Sequence, residues 1–409
     1  MHTELSDAQA QSGAALRAKA IIGSCVHCGF CLATCPTYQL LGNELDSPRG
    51  RIYLIKQMLE GASASEVTLT HLDRCLTCRA CETTCPSGVQ YGQLLDIGRQ
   101  MLKERPVRTP GERLLRSVLG AALSRRRVFA AALRAGQWLR PLLPRAQAQR
   151  IPARAHTAVA PLPRHARRMV VLQGCVQPAL APNINAAAAR VFDRLGISLV
   201  TVKAEACCGA LSHHLDATER ALQQARRNVA LWSRALDAGV EAILITASGC
   251  AVMVKDYGEL LAHDPDYAAR ARRVSAAARD LSEVLRIDDI AILMQGRNRA
   301  NGLQVAWQSP CTLQHGQKLT GRVEPLLQAA GFSLTAVPDP HLCCGSAGTY
   351  SILQRALAVR LRDVKLATLQ AAAPTVIATA NIGCLQHLAA AADVPVKHWI
   401  ELIDEASAA

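Results

Sequence analysis

The chain has 409 residues, half of them hydrophobic but only 3% aromatic, so alanine and leucine must supply most of its core. No uninterrupted apolar run reaches the ~18 residues of a membrane-spanning helix, and the polar stretch Met1 to Gly13 lacks the apolar segment of a secretory leader. Sixteen cysteines in such a chain argue against a disulfide framework and for bound metal, and the net charge of +14 invites an anionic partner.

Half of the cysteines fall into two copies of one pattern near the start of the chain. They are Cys25-x2-Cys28-x2-Cys31-x3-Cys35-Pro36 and Cys75-x2-Cys78-x2-Cys81-x3-Cys85-Pro86. Each cysteine of the second copy lies 50 residues after its counterpart. This is the spacing of bacterial two-cluster iron–sulfur ferredoxins, in which the fourth cysteine of each run ligates the other cluster. The expected sets are therefore Cys25, Cys28, Cys31 and Cys85 for one [4Fe-4S] cluster and Cys35, Cys75, Cys78 and Cys81 for the second. Proline after each fourth cysteine fixes φ and directs the chain out of the loop. Zinc sites more often show CxxC pairs.

Residues 1–104 read as an all-α domain around these runs. Ser47 and Pro48 mark a helix start, and Ile52, Ile55 and Leu59 continue it at helical spacing. Arg49 and Arg51 either offset cluster charge or are ordinary surface arginines. Tyr91 to Leu102 reads as a closing helix.

Residues 105–165 form a basic connector. Fifteen arginines and a single acid, Glu112, lie between Arg105 and Arg168, so this stretch carries the whole net charge. Leu114, Leu115, Val118, Leu119, Ala122 and Leu123 predict one amphipathic helix, and Val128 to Leu139 a second. With only Phe129 and Trp138 as interleaved rings, nucleic acid is a poor candidate partner. An acidic protein subunit or an anionic membrane face fits better, and a plain solvated linker fits as well.

A second repeat fills residues 166–299 and 300–409. Met169 to Leu172, Ile197 to Val202 and Ala242 to Thr246 read as strands leading to Cys175, to Cys207-Cys208-Gly209 and to Cys250. Leu303 to Gln308, Phe332 to Val337 and Thr375 to Thr379 lead likewise to Cys311, to Cys343-Cys344-Gly345 and to Cys384. Helices are expected near 217–237 and 352–371. Strand–helix alternation predicts α/β modules with mostly parallel sheets, cysteines gathered at strand carboxyl ends, and two modules in a pseudo-symmetric pair.

At these residues the chain resembles the iron–sulfur subunits of bacterial glycolate oxidases. The tandem CxxCxxCxxxCP runs followed by two CCG modules carry the resemblance across essentially the whole chain. Local stretches add to it: Cys25-Val26-His27-Cys28-Gly29-Phe30-Cys31, Ser47-Pro48-Arg49-Gly50-Arg51-Ile52-Tyr53 and Cys207-Cys208-Gly209-Ala210-Leu211-Ser212-His213-His214. The same architecture occurs in the small subunit of anaerobic glycerol-3-phosphate dehydrogenase and, split over two chains, in heterodisulfide reductase. A D-lactate dehydrogenase subunit is a further alternative.

The resemblance implies an electron-transfer subunit that is not catalytic on substrate by itself. Two FAD-binding oxidase subunits would oxidise glycolate to glyoxylate, and this chain, which shows no FAD motif, would pass the electrons toward a quinone or another acceptor. A cytoplasmic protein held at the inner face of the inner membrane is the implied location. In heterodisulfide reductase each CCG motif ends in CxxC and supplies five cysteines. Here Ala247 and Asn381 stand at the first position of that pair, which argues against disulfide-reducing chemistry. Four cysteines remain per module: Cys175, Cys207, Cys208 and Cys250, then Cys311, Cys343, Cys344 and Cys384. Each set could hold an iron–sulfur cluster, a zinc ion or nothing. His213, His214 and His315 lie beside these sets, as ligands, proton relays or ordinary pocket residues.

Overall fold

The computed structural model describes residues 1–103, 105, 107–148, 151–155, 159–296 and 302–408, and among them no strand precedes Arg167. Helices Gly13–Gly23, Pro48–Leu59, Glu66–Asp73 and Tyr91–Lys103 turn apolar residues at three- and four-residue spacing toward one core. Ile22, Ile55, Leu59, Leu72, Leu94 and Leu95 are fully enclosed there, and each such side chain contributes about 1.5–3 kcal/mol. Ser47 caps the second helix by accepting from the Gly50 N–H at 2.9 Å, with Pro48 in the first turn. A Cβ on Gly50 would lie 2.1 Å from the Glu44 carbonyl oxygen. Glycine therefore lets this helix press onto the short Glu44–Asp46 turn, and that contact brings Arg51 against Asp46.

The connector holds the two expected helices, Pro110–Ser124 and Arg126–Leu139. Leu114, Val118, Trp138 and Leu139 remain exposed on them. Two of the connector's arginines are not free for a partner. Arg108 and Arg116 both pair with Asp73 of the N-terminal region (2.7 Å each) and with Asp216 of the first α/β module (3.3 and 3.6 Å). The connector thus fastens the two regions on either side of it.

Beyond it lie two four-stranded, all-parallel sheets. In the first, β1 (Arg167–Val171), β2 (Ile197–Val200), β3 (Ile243–Ile245) and β4 (Ala278–Asp280) run in the order β2-β1-β3-β4, with Arg167 opposite Ile197 and Val170 opposite Ile243. In the second, β5 (Gln304–Gln308), β6 (Ser333–Leu334), β7 (Val376–Thr379) and β8 (Val396–His398) repeat that order as β6-β5-β7-β8. The expected strand over 332–337 pairs only across its first half, and β4 and β8 add an unforeseen strand to each sheet.

The modules interlock reciprocally. Helix Asn183–Arg194 of the first packs on Trp399–Ala406 of the second, and Ile287–Leu293 of the first packs on Glu324–Ala329 of the second. Ile184, Phe192, Leu293, Leu327, Trp399 and Ile403 meet in one core that spans both modules. Arg190 and Arg194 clamp Asp404 across this seam at 2.9 and 3.0 Å. No helix among the described residues is long and apolar enough to cross a membrane.

Candidate metal centres

Each N-terminal cysteine run begins where a helix ends, Gly13–Gly23 before Cys25 and Glu66–Asp73 before Cys75. Both loops then repeat one backbone device. The residues on either side of the second cysteine take positive φ: His27 (57°) and Gly29 (84°) in the first, Thr77 (53°) and Arg79 (60°) in the second. A non-glycine residue in that region costs on the order of 1–3 kcal/mol and persists only where its surroundings hold it. The paired reversals curl each loop, and the short helices Phe30–Ala33 and Ala80–Thr83 lead it away. Cys35 then sits at the N-cap of helix Pro36–Leu41, with proline in its first turn.

The cysteines line two adjoining cavities. Cys25, Cys28, Cys31 and Cys85 border one, with about 460 Å³ of empty space that is partly open to solvent. Cys35, Cys75, Cys78 and Cys81 border the other, of about 300 Å³, and Cys81 and Tyr91 line both. Among the described residues no group of three or more His, Cys, Asp or Glu side chains is drawn together tightly enough for a single ion. The sulfurs instead surround space, as an all-thiolate set around a cubane cluster requires. Burial and the neighbouring Cys25 push the Cys31 thiol up to about 11, and burial raises Cys78 and Cys81 well above the ordinary range. Thiolates crowded in this way are stable only around a positive centre. The donor set and the cavities fit two iron–sulfur clusters.

The two cavities differ in environment. Around the outer one Cys28 is exposed and Cys25, Cys31 and Cys85 half-buried, whereas Cys35, Cys75 and Cys81 of the inner one are buried. Arg51 enters the inner site. Its Nη1 lies 3.9 Å from Cys35 Sγ, its Nη2 donates to Thr37 Oγ1 (3.1 Å), and its Nε donates to the His71 carbonyl (2.7 Å). Burial opposes the guanidinium charge, yet Cys75, Tyr91, Cys35 and Asp46 together raise its pKa above the ordinary value. The Tyr91 hydroxyl approaches Cys75 Sγ at 3.7 Å. Arg49 borders the outer site, half-exposed and paired with Glu44 at 2.8 Å.

The C-terminal cysteines are arranged differently. Cys207 Sγ lies 3.4 Å from Cys175 Sγ, and Cys207 and Cys250 lie near enough to Cys208 to raise its thiol pKa. In the second module Cys311 and Cys343 are 3.9 Å apart, and Cys343 and Cys384 lie near enough to Cys344 to shift its thiol pKa. In each expected set of four, two thiols touch and the others lie close by. Both Cys-Cys-Gly turns need glycine: Gly209 and Gly345 have φ of 95° and 84°, and a Cβ on Gly345 would sit 2.6 Å from the Ala358 carbonyl oxygen. Ala247 is buried, while Asn381 donates from Nδ2 to Cys384 Sγ at 3.5 Å and accepts from Gly249 N–H at 3.4 Å.

The second module's set adjoins the inner cavity, because Leu76, Cys78, Cys311, Cys343 and Tyr350 share one small apolar cluster. The histidines serve as junctions between regions. His213 Nε2 meets Asp96 Oδ2 at 3.2 Å. His315 donates from Nε2 to the His341 carbonyl (3.2 Å) and accepts at Nδ1 from the Thr83 hydroxyl (3.1 Å), with burial holding the ring neutral. The role of Arg51 was undecided by sequence, because its partners Cys35, Asp46 and His71 converge only through the fold.

A family model described as a 4Fe-4S dicluster domain matches residues 21–89, and one described as a cysteine-rich domain matches 169–255 and 305–389. The glycolate oxidase iron-sulfur subunit of Escherichia coli K12 is 52% identical over 407 residues, covering 99% of each chain. A probable glycolate oxidase iron-sulfur subunit of Bacillus subtilis 168 is 30% identical over 88% of this chain and 87% of its own. Lactate utilization protein A of Bacillus velezensis is 24% identical over 56% of this chain and 96% of its own.

Proposed function

The chain belongs to the family of glycolate oxidase iron–sulfur subunits, and on that premise we propose that it carries electrons from FAD on two partner oxidase subunits toward a quinone or another acceptor. The net reaction of the complex is glycolate plus oxidised acceptor to glyoxylate plus reduced acceptor. Two electrons and two protons leave the substrate on the flavoprotein side, so this chain needs no group that touches glycolate. A [4Fe-4S] cluster, when bound, takes and releases one electron at a time.

In this reading Cys25, Cys28, Cys31 and Cys85 hold one cluster, and Cys35, Cys75, Cys78 and Cys81 the second. The observation that supports it is that each cavity is lined by cysteines of both runs, Cys85 joining Cys25, Cys28 and Cys31 at one and Cys35 joining Cys75, Cys78 and Cys81 at the other, with Cys81 bordering both. The crossed ligands tie the two loops to each other. Cys175, Cys207, Cys208 and Cys250, with Cys311, Cys343, Cys344 and Cys384, are two further candidate sets for an iron–sulfur cluster. The exposed apolar residues among the connector's arginines suit peripheral contact with the cytoplasmic face of the inner membrane.

Reconstitution tests this reading. The purified chain alone should show broad iron–sulfur absorption near ~400 nm and no glycolate-dependent dye reduction, with activity appearing on addition of the flavoprotein partners. Turnover of glycolate by the isolated chain would overturn it.

A further inference from the structure

We propose that Arg51 is a positioning residue for electron transfer: its buried guanidinium raises the reduction potential of the inner cluster, held by Cys35, Cys75, Cys78 and Cys81, and makes that site the acceptor of the pair. The inference rests on the two-cluster reading above. Reducing a cluster adds one negative charge to its site, and burial by itself disfavours that charge. Since Cys35, Cys75 and Cys81 are buried and Cys28 is exposed, burial alone would leave the inner site the poorer acceptor. A fixed cation beside it reverses the order.

Arg51 meets the requirements for such a cation. Its side chain is 1% exposed, and a guanidinium keeps its proton in a protein. Bonds to the His71 carbonyl and the Thr37 hydroxyl hold it beside Cys35 Sγ. The counter-anion is shared. Asp46 lies 3.5 Å from Arg51 but also bonds His71 (2.9 Å) and Arg74 (3.1 Å). One carboxylate therefore faces two guanidiniums and an imidazole, and the inner site keeps a net positive neighbour. Among the described residues the outer cavity is lined by no other arginine or lysine than Arg49, which is 34% exposed and paired one-to-one with Glu44. With clusters held by these cysteines, Arg51 would favour an electron resting at the inner site over the outer one, and no bond or proton would change place. The flavin of the partner subunits supplies the electron.

The test is an EPR-monitored redox titration of the full chain with both clusters loaded. In Arg51→Gln the higher-potential couple should move to more negative potential, shifting its reduced-to-oxidised ratio at least tenfold at fixed potential, about 59 mV for one electron. The lower couple should stay in place. Asp46→Asn, which unmasks the arginine, should move the same couple the opposite way. A loaded Arg51→Gln protein with both couples unmoved, with both moved equally, or with only the lower couple moved overturns the proposal. Should Arg51→Gln fail to retain the inner cluster, Asp46→Asn decides: a positive shift of the higher couple supports the proposal, and no shift or a negative one overturns it. A parent protein without a two-cluster spectrum would count against the two-cluster reading, before any variant is made.

Discussion

The N-terminal and C-terminal regions each contain eight cysteines, and they use them in opposite ways. In the first, the sulfurs stand around cavities, held apart by loops whose left-handed residues enforce the curl. In the second, a pair of sulfurs in each module touches, at 3.4 Å between Cys175 and Cys207 and 3.9 Å between Cys311 and Cys343. Equal cysteine counts thus give two different arrangements. What distinguishes the first region is enforced space, together with a cation at the inner cavity to balance charge.

The largest test of this contrast removes a crossed ligand. Cys85→Ser should lose about four iron atoms per chain relative to the parent, since each cubane holds four, as read by iron and acid-labile sulfide analysis. Retention of the full complement would break the contrast. Backbone changes sharpen it within the C-terminal region. Gly345→Ala forces a methyl against the Ala358 carbonyl at a positive φ, and should cost about 2–5 kcal/mol. Gly209→Ala meets its nearest neighbours at 3.3 Å and should cost less, about 1–3 kcal/mol, so the denaturation midpoint of the first variant should fall further. Cys344→Ser should leave the N-terminal spectrum in place and destabilise the second module by about 1–3 kcal/mol, through a buried hydroxyl with poor partners.

The smallest effect concerns the junction of the two regions. Asp96 outweighs burial and raises the His213 pKa above its ordinary 6.5, while Asp96 is itself held below 3.8 by the bond and charge of His213, against its burial. The imidazolium's contribution is complete below 6.5 and is lost as pH rises through the raised value. The carboxylate's contribution is lost only as pH falls through its lowered one. His213→Gln should therefore narrow the gap in melting temperature between about pH 6 and about pH 8, by an amount worth less than ~1 kcal/mol because both partners are partly exposed. An unchanged gap would remove the pair from the account.

The sequence made some of this legible and hid the rest. Six strands announced themselves as apolar runs ending at cysteines. β4 and β8 did not, because each has three residues and carries a charged one, Arg279 or Lys397, within it. The two cysteine runs that line the cavities were visible in the 50-residue repeat. The inner site's cation did not, since Arg51 finds Cys35, Asp46 and His71 across 16, 5 and 20 residues of chain. The connector's arginines looked uniformly available, yet Arg108 and Arg116 are committed to Asp73 and Asp216. Periodicity reads burial along one element, and ion pairs between elements lie outside it.

The central claim is the crossed ligation of two clusters, and paired cysteine variants address it most directly. EPR spectra of reduced Cys28→Ser and Cys85→Ser proteins should lack the same cluster signal and retain the same other one, although the two residues belong to different runs. If Cys85→Ser instead loses the signal that Cys78→Ser loses, each run ligates its own cluster and the account is wrong.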